Sequence, residues 1–437
     1  MRFRASDAAD AIGGRLIGPD VDLDGAAFDS RLVRPGELFV ALVADRDGHD
    51  FADAAVAAGS PAVLALPGRI PPSFGATLVE VVDTAAALLD LARWARTRFD
   101  PAVHVVGVTG SVGKTTTKDL VAAATGASMT TASSHRSYNN DQGLPVTVLG
   151  AAVDTEVLVL EMGMRGFGEI QRLCDVARPT VGVVTSVGHS HTERVGGIDG
   201  VARAKAELVR ALPSDGIAVL NADDARVAAM RAGAPGGVVT YGSDRDADVR
   251  IVQLELDDLA RPRFGLATPW GWVDVALAAS GVHMASNAAA ALAVAGVVGA
   301  ELDAAADALG RVEMAAMRME TGRTPTGALV VNDAYNANPT SMAAALESVA
   351  AMRASRRIAV LGPMAELDDL GAGHREVAEL VMALGIELVA VGTDRYGAAP
   401  VDDPVAAIGP LTADDIVLVK ASRMAALDRV AARLLAG

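Results

Sequence analysis

The sequence predicts an α/β protein of three domains, and three observations support this fold class. The chain has 437 residues, of which 51% are hydrophobic, enough for two to three domains with buried cores. Short apolar runs bounded by turns alternate with helical stretches, as in parallel sheets covered on both faces. The rhythm of these elements changes near residues 98 and 310. We therefore predict a small N-terminal α/β domain at 1–97, a central domain with a mostly parallel sheet at 98–311, and a C-terminal Rossmann-like domain at 312–437.

The N-terminal segment is typical of a small α/β unit. We expect short strands and turns around residues 28–31 and 37–41, a helix from about 50 to 58, and a strand at 62–65.

The central segment contains four apolar strands that end at polar residues. These strands are expected at 103–108, 157–160, 181–185 and 217–220. The first precedes a glycine-rich loop, and the others precede Glu161, a loop with His189 and His191, and Asn221. Because ligands bind at the carboxyl ends of parallel strands, we expect a functional site at this edge.

The C-terminal segment predicts a second doubly wound unit. Its strands are expected at 329–331, 358–361, 388–391 and 416–419, and its last helix at about 422–435. A unit of this length is a plausible separate domain.

Composition excludes several classes of protein. A net charge of −16 argues against non-specific nucleic-acid binding. No apolar run approaches the roughly 20 residues that cross a bilayer, and the acidic N-terminus is unlike a signal peptide, so we expect a cytoplasmic protein without membrane insertion. The single cysteine, Cys174, excludes an internal disulfide and a cysteine-based zinc site.

A phosphate-binding loop follows the first central strand. Residues 107–117 read Gly-Val-Thr-Gly-Ser-Val-Gly-Lys-Thr-Thr-Thr. Such a loop presents backbone N–H groups to nucleotide phosphates, and this predicts a P-loop ATPase-like central domain. Lys114 would lie between the β- and γ-phosphates of ATP, and the Thr115 hydroxyl would face the accompanying Mg²⁺. Val108 stands where the general pattern has its first glycine.

Three further residues are candidates for metal binding or catalysis. Glu161 ends a strand beside the P-loop, where a carboxylate suits Mg²⁺, although a solvated strand-end charge is the alternative. His189 and His191 have the spacing of a zinc pair, but no third ligand accompanies them, and a lone histidine is more often structural. Lys205 lies on a helix, where most lysines are solvated.

Several motifs together resemble those of the Mur ligases over nearly the whole chain. They are Thr-Gly-Ser-Val-Gly-Lys-Thr-Thr-Thr-Lys at 109–118, Glu-Met-Gly-Met at 161–164, the His191 loop, Ala-Lys-Ala-Glu at 204–207, and Asn-Ala-Asp-Asp at 221–224. The resemblance includes residues 29–31, 34–41, 138–145, 281–287, 332–341, 361–366 and 419–423. It implies ATP-dependent amide formation: ATP converts a carboxylate into an acyl phosphate, which an amine attacks.

The resemblance also assigns roles to the nucleotide side of the site. Thr115 and Glu161 would hold one Mg²⁺, while His191 and Lys205, the latter as a carbamate, would help to hold a second. Asn287 would contact adenine, Arg318 the γ-phosphate and Asp333 the ribose. The remaining residues of the phosphate cradle would be Thr109, Gly110, Ser111, Gly113, Lys114 and Thr116. Because these residues belong to two domains, closure of the domains would exclude water from the acyl phosphate.

The substrate side follows from the same resemblance. Ser30 and Arg31 would receive the uridine diphosphate end, and Asn139 and Asn140 would face the reacting substrate. The motifs at 139–145 and 333–339 favour the member that joins D-alanyl-D-alanine to UDP-N-acetylmuramoyl-tripeptide, the last cytoplasmic step towards the cell-wall precursor. Nothing in the sequence requires a partner subunit, so we expect a monomer.

Two alternatives stay open at this point. One is a related ligase with a different amine, such as a single amino acid or the glutamate added to a folate. The other is a P-loop regulator that uses ATP as a switch, although the metal constellation beyond the P-loop argues against it. The chain also departs from the family pattern at Val112, Ser137, His189 and Pro363.

Overall fold

The computed structural model describes residues 1–71, 73–135, 137–188, 192–313, 316–365 and 370–437. His189 and His191 therefore lie outside the described residues. Within them, the chain forms an α/β fold with one large sheet preceded and followed by a five-stranded sheet.

The N-terminal unit consists of short elements. Its strands are β1 (Arg2–Arg4), β2 (Arg15–Ile17), β3 (Asp22–Asp24), β4 (Ala26–Ala27), β5 (Leu38–Val40), β6 (Ala62–Ala65) and β7 (Thr77–Glu80). Its helices are α1 (Ala5–Ile12), α2 (Ala52–Ala57) and α3 (Thr84–Arg96), with a 3-10 turn at Gly48–Phe51. The sheet order is β2-β7-β6-β5-β4, and β2 runs antiparallel to β7. The helix expected at 50–58 begins later because the Asp47 carboxylate caps the preceding 3-10 turn through the His49 N–H group.

The central unit is built on a nine-stranded sheet. Its strands are β8 (His104–Thr109), β9 (Thr131–Ser133), β10 (Val157–Glu161), β11 (Val181–Val184), β12 (Ile217–Asn221), β13 (Gly237–Gly242), β14 (Val249–Leu256), β15 (Pro262–Thr268) and β16 (Gly271–Ala276). Its helices are α4 (Lys114–Gly126), α5 (Gly143–Gly150), α6 (Glu169–Ala177), α7 (Thr192–Val195), α8 (Ile198–Arg210), α9 (Ala225–Ala228), α10 (His283–Val298) and α11 (Leu302–Leu309).

The order of this sheet is β16-β15-β14-β13-β12-β11-β8-β10-β9. The strands from β9 to β14 are parallel, which confirms the mostly parallel sheet, and β14 to β16 add an antiparallel extension. Every residue of β10 and β11 is buried, because helices cover both faces of the sheet. Since β12, β11, β8 and β10 are neighbours with one direction, their carboxyl ends meet at one edge.

The N-terminal and central units share one hydrophobic core. A single cluster of buried residues contains Phe3 and Leu38 from the N-terminal unit together with Leu144 and Leu158 from the central unit. Helix α5, which carries Leu144, packs against α3 and β4. The first two units are therefore joined by packing as well as by the chain.

The C-terminal unit has its own sheet. Its strands are β17 (Glu320–Arg323), β18 (Leu329–Asn332), β19 (Arg356–Leu361), β20 (Glu387–Ala390) and β21 (Asp415–Lys420). Its helices are α12 (Pro339–Ala351), α13 (Leu370–Ala383), α14 (Pro404–Ile408) and α15 (Asp428–Ala436). The order β17-β18-β21-β19-β20, parallel from β18 to β20, confirms the Rossmann-like arrangement. The last helix starts at Asp428 instead of near 422, because a 3-10 turn at Arg423–Ala425 precedes Ala426, whose φ is 51°.

The hairpin between β14 and β15 reaches into the C-terminal core. Ala260 at its tip is 0% exposed and belongs to the same cluster as Leu346 of α12. The Asp257 carboxylate holds the tip by accepting the N–H groups of Leu259 at 3.0 Å and Arg261 at 2.9 Å. The Arg353 N–H group donates to the Asp258 carbonyl at 3.1 Å. This hairpin is thus a second connection between the two units, besides the chain itself.

In the part of the chain that the structure describes, no helix has the length and apolar character needed to span a membrane.

We predict that Leu144→Ala will lower the free energy of unfolding by about 2–5 kcal/mol, because it leaves a cavity in the shared core. Hydrogen exchange should show lost protection in β5 to β7 as well as in β8 and β10. Leu434→Ala is the control, since Leu434 packs in a cluster of the C-terminal unit. Loss of protection confined to the central strands in Leu144→Ala would contradict a shared core.

Candidate active site

A cavity of about 590 Å³ lies between the carboxyl edge of the central sheet and the C-terminal unit. The central unit contributes the P-loop, Glu161 and Lys205 to its walls, and the C-terminal unit contributes Asp333 and Lys420. One cleft therefore brings together most of the candidate residues identified from the sequence. We take it as the candidate active site.

The P-loop is held in shape by two glycines. Gly110 has a φ of 155°, and a Cβ atom there would lie 1.8 Å from Thr185 Oγ1. Gly113 has a φ of 84°, and a Cβ atom there would lie 2.8 Å from Asn287 Oδ1. Neither position accepts a side chain without displacing its neighbour. Helix α4 begins at Lys114, so the N–H groups of its first turn lie beside the cavity, and a helix N-terminus favours an anion.

The other P-loop side chains differ in their exposure to the cavity. Ser111 and Thr116 line it, whereas Thr109 and Gly110 do not. Thr109 is fully buried, and its hydroxyl has no hydrogen-bond partner among the described residues. The Lys114 ammonium lies across the loop and donates to the Gly110 carbonyl at 2.7 Å.

The Thr115 hydroxyl is the centre of a short network. It donates to Glu161 Oε2 at 2.8 Å and accepts from the Arg318 guanidinium at 2.9 Å. The Asn139 amide donates to Glu161 Oε1 at 2.8 Å, and Ser137 Oγ lies 3.3 Å from Thr115 Oγ1. Glu161 is 1% exposed, so its carboxylate has little access to bulk water. A hydroxyl and a carboxylate at this separation suit a hard divalent cation such as Mg²⁺.

Lys205 is buried on α8 and lines the cavity. No hydrogen bond or ion pair to its ammonium is found among the described residues. Burial, together with the charge of Lys114, holds the pKa of Lys205 well below its usual value. This environment shifts the protonation equilibrium of Lys205 towards the neutral amine.

The described residues contain no group of three or more His, Cys, Asp or Glu side chains arranged to hold a metal ion. A metal site here would have to use the Thr115 hydroxyl, Glu161 and groups of other kinds. His191, expected to contribute, lies outside the described residues.

On the C-terminal wall of the cavity, Asp333 directly follows β18 and forms an ion pair with Lys420. The Lys420 ammonium donates to Asp333 Oδ2 at 2.5 Å and to the Asn336 carbonyl at 2.9 Å. The Met319 N–H group donates to Asp333 Oδ1 at 3.1 Å. Arg318, which precedes Met319, stacks with its guanidinium carbon 4.3 Å from the centre of the Tyr335 ring.

Asn287 lies on α10 beneath the P-loop and is 9% exposed. Its Oδ1 atom accepts from the Thr117 hydroxyl at 3.3 Å. One turn earlier, His283 also lines the cavity, and its Nδ1 atom is enclosed without a partner among the described residues. Burial lowers the pKa of His283. The motif at 281–287 was recognised in the sequence. His283, Tyr335 and Lys420 were not identified from the sequence as residues of the site.

The substrate-side residues divide into two groups. Asn139 and Asn140 line the cavity, and Asn140 Oδ1 accepts the N–H groups of Gln142 and Gly143 at the start of α5. Ser30 and Arg31 are not among the residues that line it. The Arg31 side chain is 84% exposed and forms an ion pair with Asp29 at 2.6 Å.

The chain belongs to the Mur ligase family. Residues 108–295 match the Mur ligase middle domain, and residues 317–437 match the Mur ligase glutamate ligase domain. The UDP-N-acetylmuramoyl-tripeptide--D-alanyl-D-alanine ligase of Mycobacterium tuberculosis is 39% identical over 94% of this chain and 91% of its own length.

Solved structures agree with this assignment. A MurF crystal structure from Acinetobacter baumannii has a TM-score of 0.87 and 27% identity, covering 100% of this chain and 99% of its own. A MurF ligase from Thermotoga maritima in complex with ADP has a TM-score of 0.80 and 27% identity, covering 93% of this chain and 96% of its own.

We predict that Lys205→Met will raise the melting temperature near neutral pH. Below the usual lysine pKa of 10.5, the unfolded chain binds the Lys205 proton more tightly than the folded chain does, which costs stability. The difference between the variant and the original protein should shrink as the pH rises towards 10.5.

The measurement is a series of melting curves across pH in buffer free of carbon dioxide, which leaves the amine unmodified. Arg203→Met, an exposed cation on the same helix, is the control. A lower melting temperature for Lys205→Met at pH 7 would contradict a destabilising effect of the buried Lys205 amine.

Proposed function

We propose that this chain is an ATP-dependent amide ligase that joins D-alanyl-D-alanine to UDP-N-acetylmuramoyl-tripeptide. The observation that carries this proposal is the network from Arg318 through Thr115 to Glu161 inside a cavity shared with the C-terminal unit. The name of the Mycobacterium tuberculosis relative supports the choice of substrates. The product would be the UDP-muramoyl pentapeptide used for peptidoglycan.

The reaction would proceed in two balanced steps. A carboxylate oxygen of the tripeptide bonds to the γ-phosphorus of ATP, and the bond to the bridging oxygen breaks to release ADP. The amine of D-alanyl-D-alanine then attacks the acyl carbon, phosphate leaves with the electron pair of the C–O bond, and the amine nitrogen loses a proton. Charge builds up on phosphoryl oxygens, so positioned cations and N–H groups are the physical source of rate.

The nucleotide would lie along the P-loop. The N–H groups at the start of α4, with the cradle of Thr109, Gly110, Ser111, Gly113 and Thr116, would hold the phosphates. Lys114 would exchange its bond to the Gly110 carbonyl for phosphate oxygens, and Arg318 would reach the γ-phosphate from its place beside Thr115. Asn287 would contact adenine, and Asp333 would accept from the ribose hydroxyls.

Thr115 and Glu161 would hold the Mg²⁺ that accompanies ATP, and His191 and Lys205 would contribute to a second site. Mg²⁺ would supply charge neutralisation at the phosphoryl oxygens. A depressed pKa supports carbamylation of Lys205, because the neutral amine is the form that adds to carbon dioxide. The carbamate would give this buried side chain a negative charge and oxygen atoms, which the ammonium lacks.

The acceptor substrate would extend from the cavity to the N-terminal unit. Ser30 and Arg31 would bind the uridine diphosphate end. To do so, the exposed Arg31 guanidinium would exchange its ion pair with Asp29 for one with the diphosphate. Asn139 and Asn140 would face the peptide end. The contact of Asn139 with Glu161 supports this, because it ties the loop to the site of phosphoryl transfer.

We further infer domain boundaries near residues 97 and 311, a monomer, and a cytoplasmic location without nucleic-acid partners. The boundaries are supported by the separation of the nine-stranded sheet from the five-stranded sheet on either side of it in the chain. The net charge of −16 opposes binding to a nucleic-acid backbone.

We expect phosphate release from ATP to require both UDP-N-acetylmuramoyl-tripeptide and D-alanyl-D-alanine. The assay measures phosphate with a panel of amines that includes D-alanine, D-glutamate, L-lysine and diaminopimelate, and mass spectrometry identifies the product. A response to one of the single amino acids and none to D-alanyl-D-alanine would exclude the proposed reaction.

We expect Lys205→Ala to lower turnover by about ten- to a hundredfold, as the loss of a group that supports a metal site typically does. Short carboxylates such as acetate or propionate should restore part of the rate, because they can occupy the place of the carbamate. Arg203→Ala, an exposed cation on the same helix, should keep the original turnover. Full activity of Lys205→Ala without added carboxylate would rule out this role and would agree better with a nucleotide switch.

A further inference from the structure

Two polar side chains behind the P-loop have so far received no role. Asn221 ends β12, and Asp224, three residues later, caps the start of α9. The sequence groups them in the motif at 221–224, but neither residue lines the cavity. Their hydrogen bonds connect the end of β12 to the segment that follows β11, and that segment is in turn bonded to the P-loop.

Asn221 and Asp224 connect the end of β12 to residues 185–188. This segment follows β11, and we call it the β11 exit. The Asn221 amide donates to the Thr185 carbonyl at 2.8 Å. The Val187 N–H group donates to Asp224 Oδ2 at 2.7 Å. The two side chains thus hold the β11 exit at both a carbonyl and an N–H group.

The β11 exit is in turn hydrogen-bonded to the P-loop. The Ser111 N–H group donates to the Ser186 carbonyl at 2.8 Å, and the Val112 N–H group donates to Ser186 Oγ at 3.1 Å. The Thr185 hydroxyl donates to the Val112 carbonyl at 2.6 Å. The Gly188 N–H group donates to Ser111 Oγ at 2.9 Å. The backbone of residues 111–112 is therefore held by the β11 exit through several bonds at once.

The P-loop and the β11 exit are closely packed at Gly110 and Thr185, so a displacement of one is expected to move the other. A Cβ atom at Gly110 would overlap Thr185 Oγ1, so the loop and the β11 exit lie against each other without spare space. A shift of the β11 exit would consequently move residues 110–112, which precede Lys114 and the N-terminus of α4.

Asp223 provides a matched comparison within the same motif. Its carboxylate also accepts backbone N–H groups, from Ser243 at 2.8 Å and Asp244 at 2.8 Å. These belong to the turn after β13, on the side away from the P-loop in the sheet order. Asp223 and Asp224 thus share chemistry and differ in the loop that they hold.

We propose that Asn221 and Asp224 are positioning residues that set the P-loop for nucleotide through the β11 exit. This inference rests on the proposed use of ATP. In Asp224→Asn, the oxygen can still cap α9, where Oδ1 accepts from Arg226 and Val227, but the new NH₂ group faces the Val187 N–H group. Donor then meets donor, so the bond to the β11 exit is lost while the helix cap is kept.

The test compares Asp224→Asn with Asp223→Asn in the full-length protein. Binding of a fluorescent ADP analogue should weaken about tenfold in Asp224→Asn, the effect of roughly one lost hydrogen bond, and change less than twofold in Asp223→Asn. In steady-state assays, the KM for ATP should rise in Asp224→Asn while the KM for UDP-N-acetylmuramoyl-tripeptide stays constant. A merely structural role would lower the folded fraction and the maximal rate and would leave both KM values unchanged.

Unchanged nucleotide binding in Asp224→Asn would overturn the inference, and so would equal weakening in both variants. If Asp224→Asn does not fold, Asn221→Ala replaces it, because it removes the donor to the Thr185 carbonyl. Nucleotide binding of Asn221→Ala equal to that of the original protein would then overturn the inference. A different result would contradict the proposed function: the original protein would bind the ADP analogue, but D-alanyl-D-alanine would stimulate no phosphate release.

Discussion

The candidate site depends on the hydrogen bond between Thr115 and Glu161, and that bond depends on the register of two parallel strands. Glu161 is paired with Val108 across β10 and β8, so the P-loop and the Glu161 carboxylate leave the sheet side by side. A register shifted by one residue would point Glu161 to the other face of the sheet. Because β10 is buried on both faces, its surroundings hold that register.

Much of this arrangement could be predicted from the sequence, because buried parallel strands appear as apolar runs. The strands before the P-loop, Glu161 and Asn221 were found for that reason. The antiparallel extension was not predicted, since half of β14, from Gln253 to Leu256, is exposed and lacks an apolar run. The late start of the last helix depends on Ala426, an alanine in a left-handed conformation that no pattern of residue types indicates.

The site was predictable to a similar degree and for a similar reason. Residues at strand ends, such as Glu161 and Asp333, were selected from their position, and they do line one cavity. Arg318 was only a charge in a linker, because its partner Thr115 lies 203 positions earlier in the chain. The pairing of Arg31 with Asp29 and the ion pair of Lys420 with Asp333 are side-chain choices that spacing does not encode.

The hairpin tip at Leu259 and Ala260 bears on how separable the C-terminal unit is. Its matched family segment begins at residue 317, yet Ala260, which fills part of its core, comes from the middle segment. A fragment starting at residue 317 would retain every strand of its sheet but would expose the apolar surface that the tip covers. In evolutionary terms, exchange of this unit between relatives would keep its core complete only if the incoming hairpin tip fitted the same apolar surface.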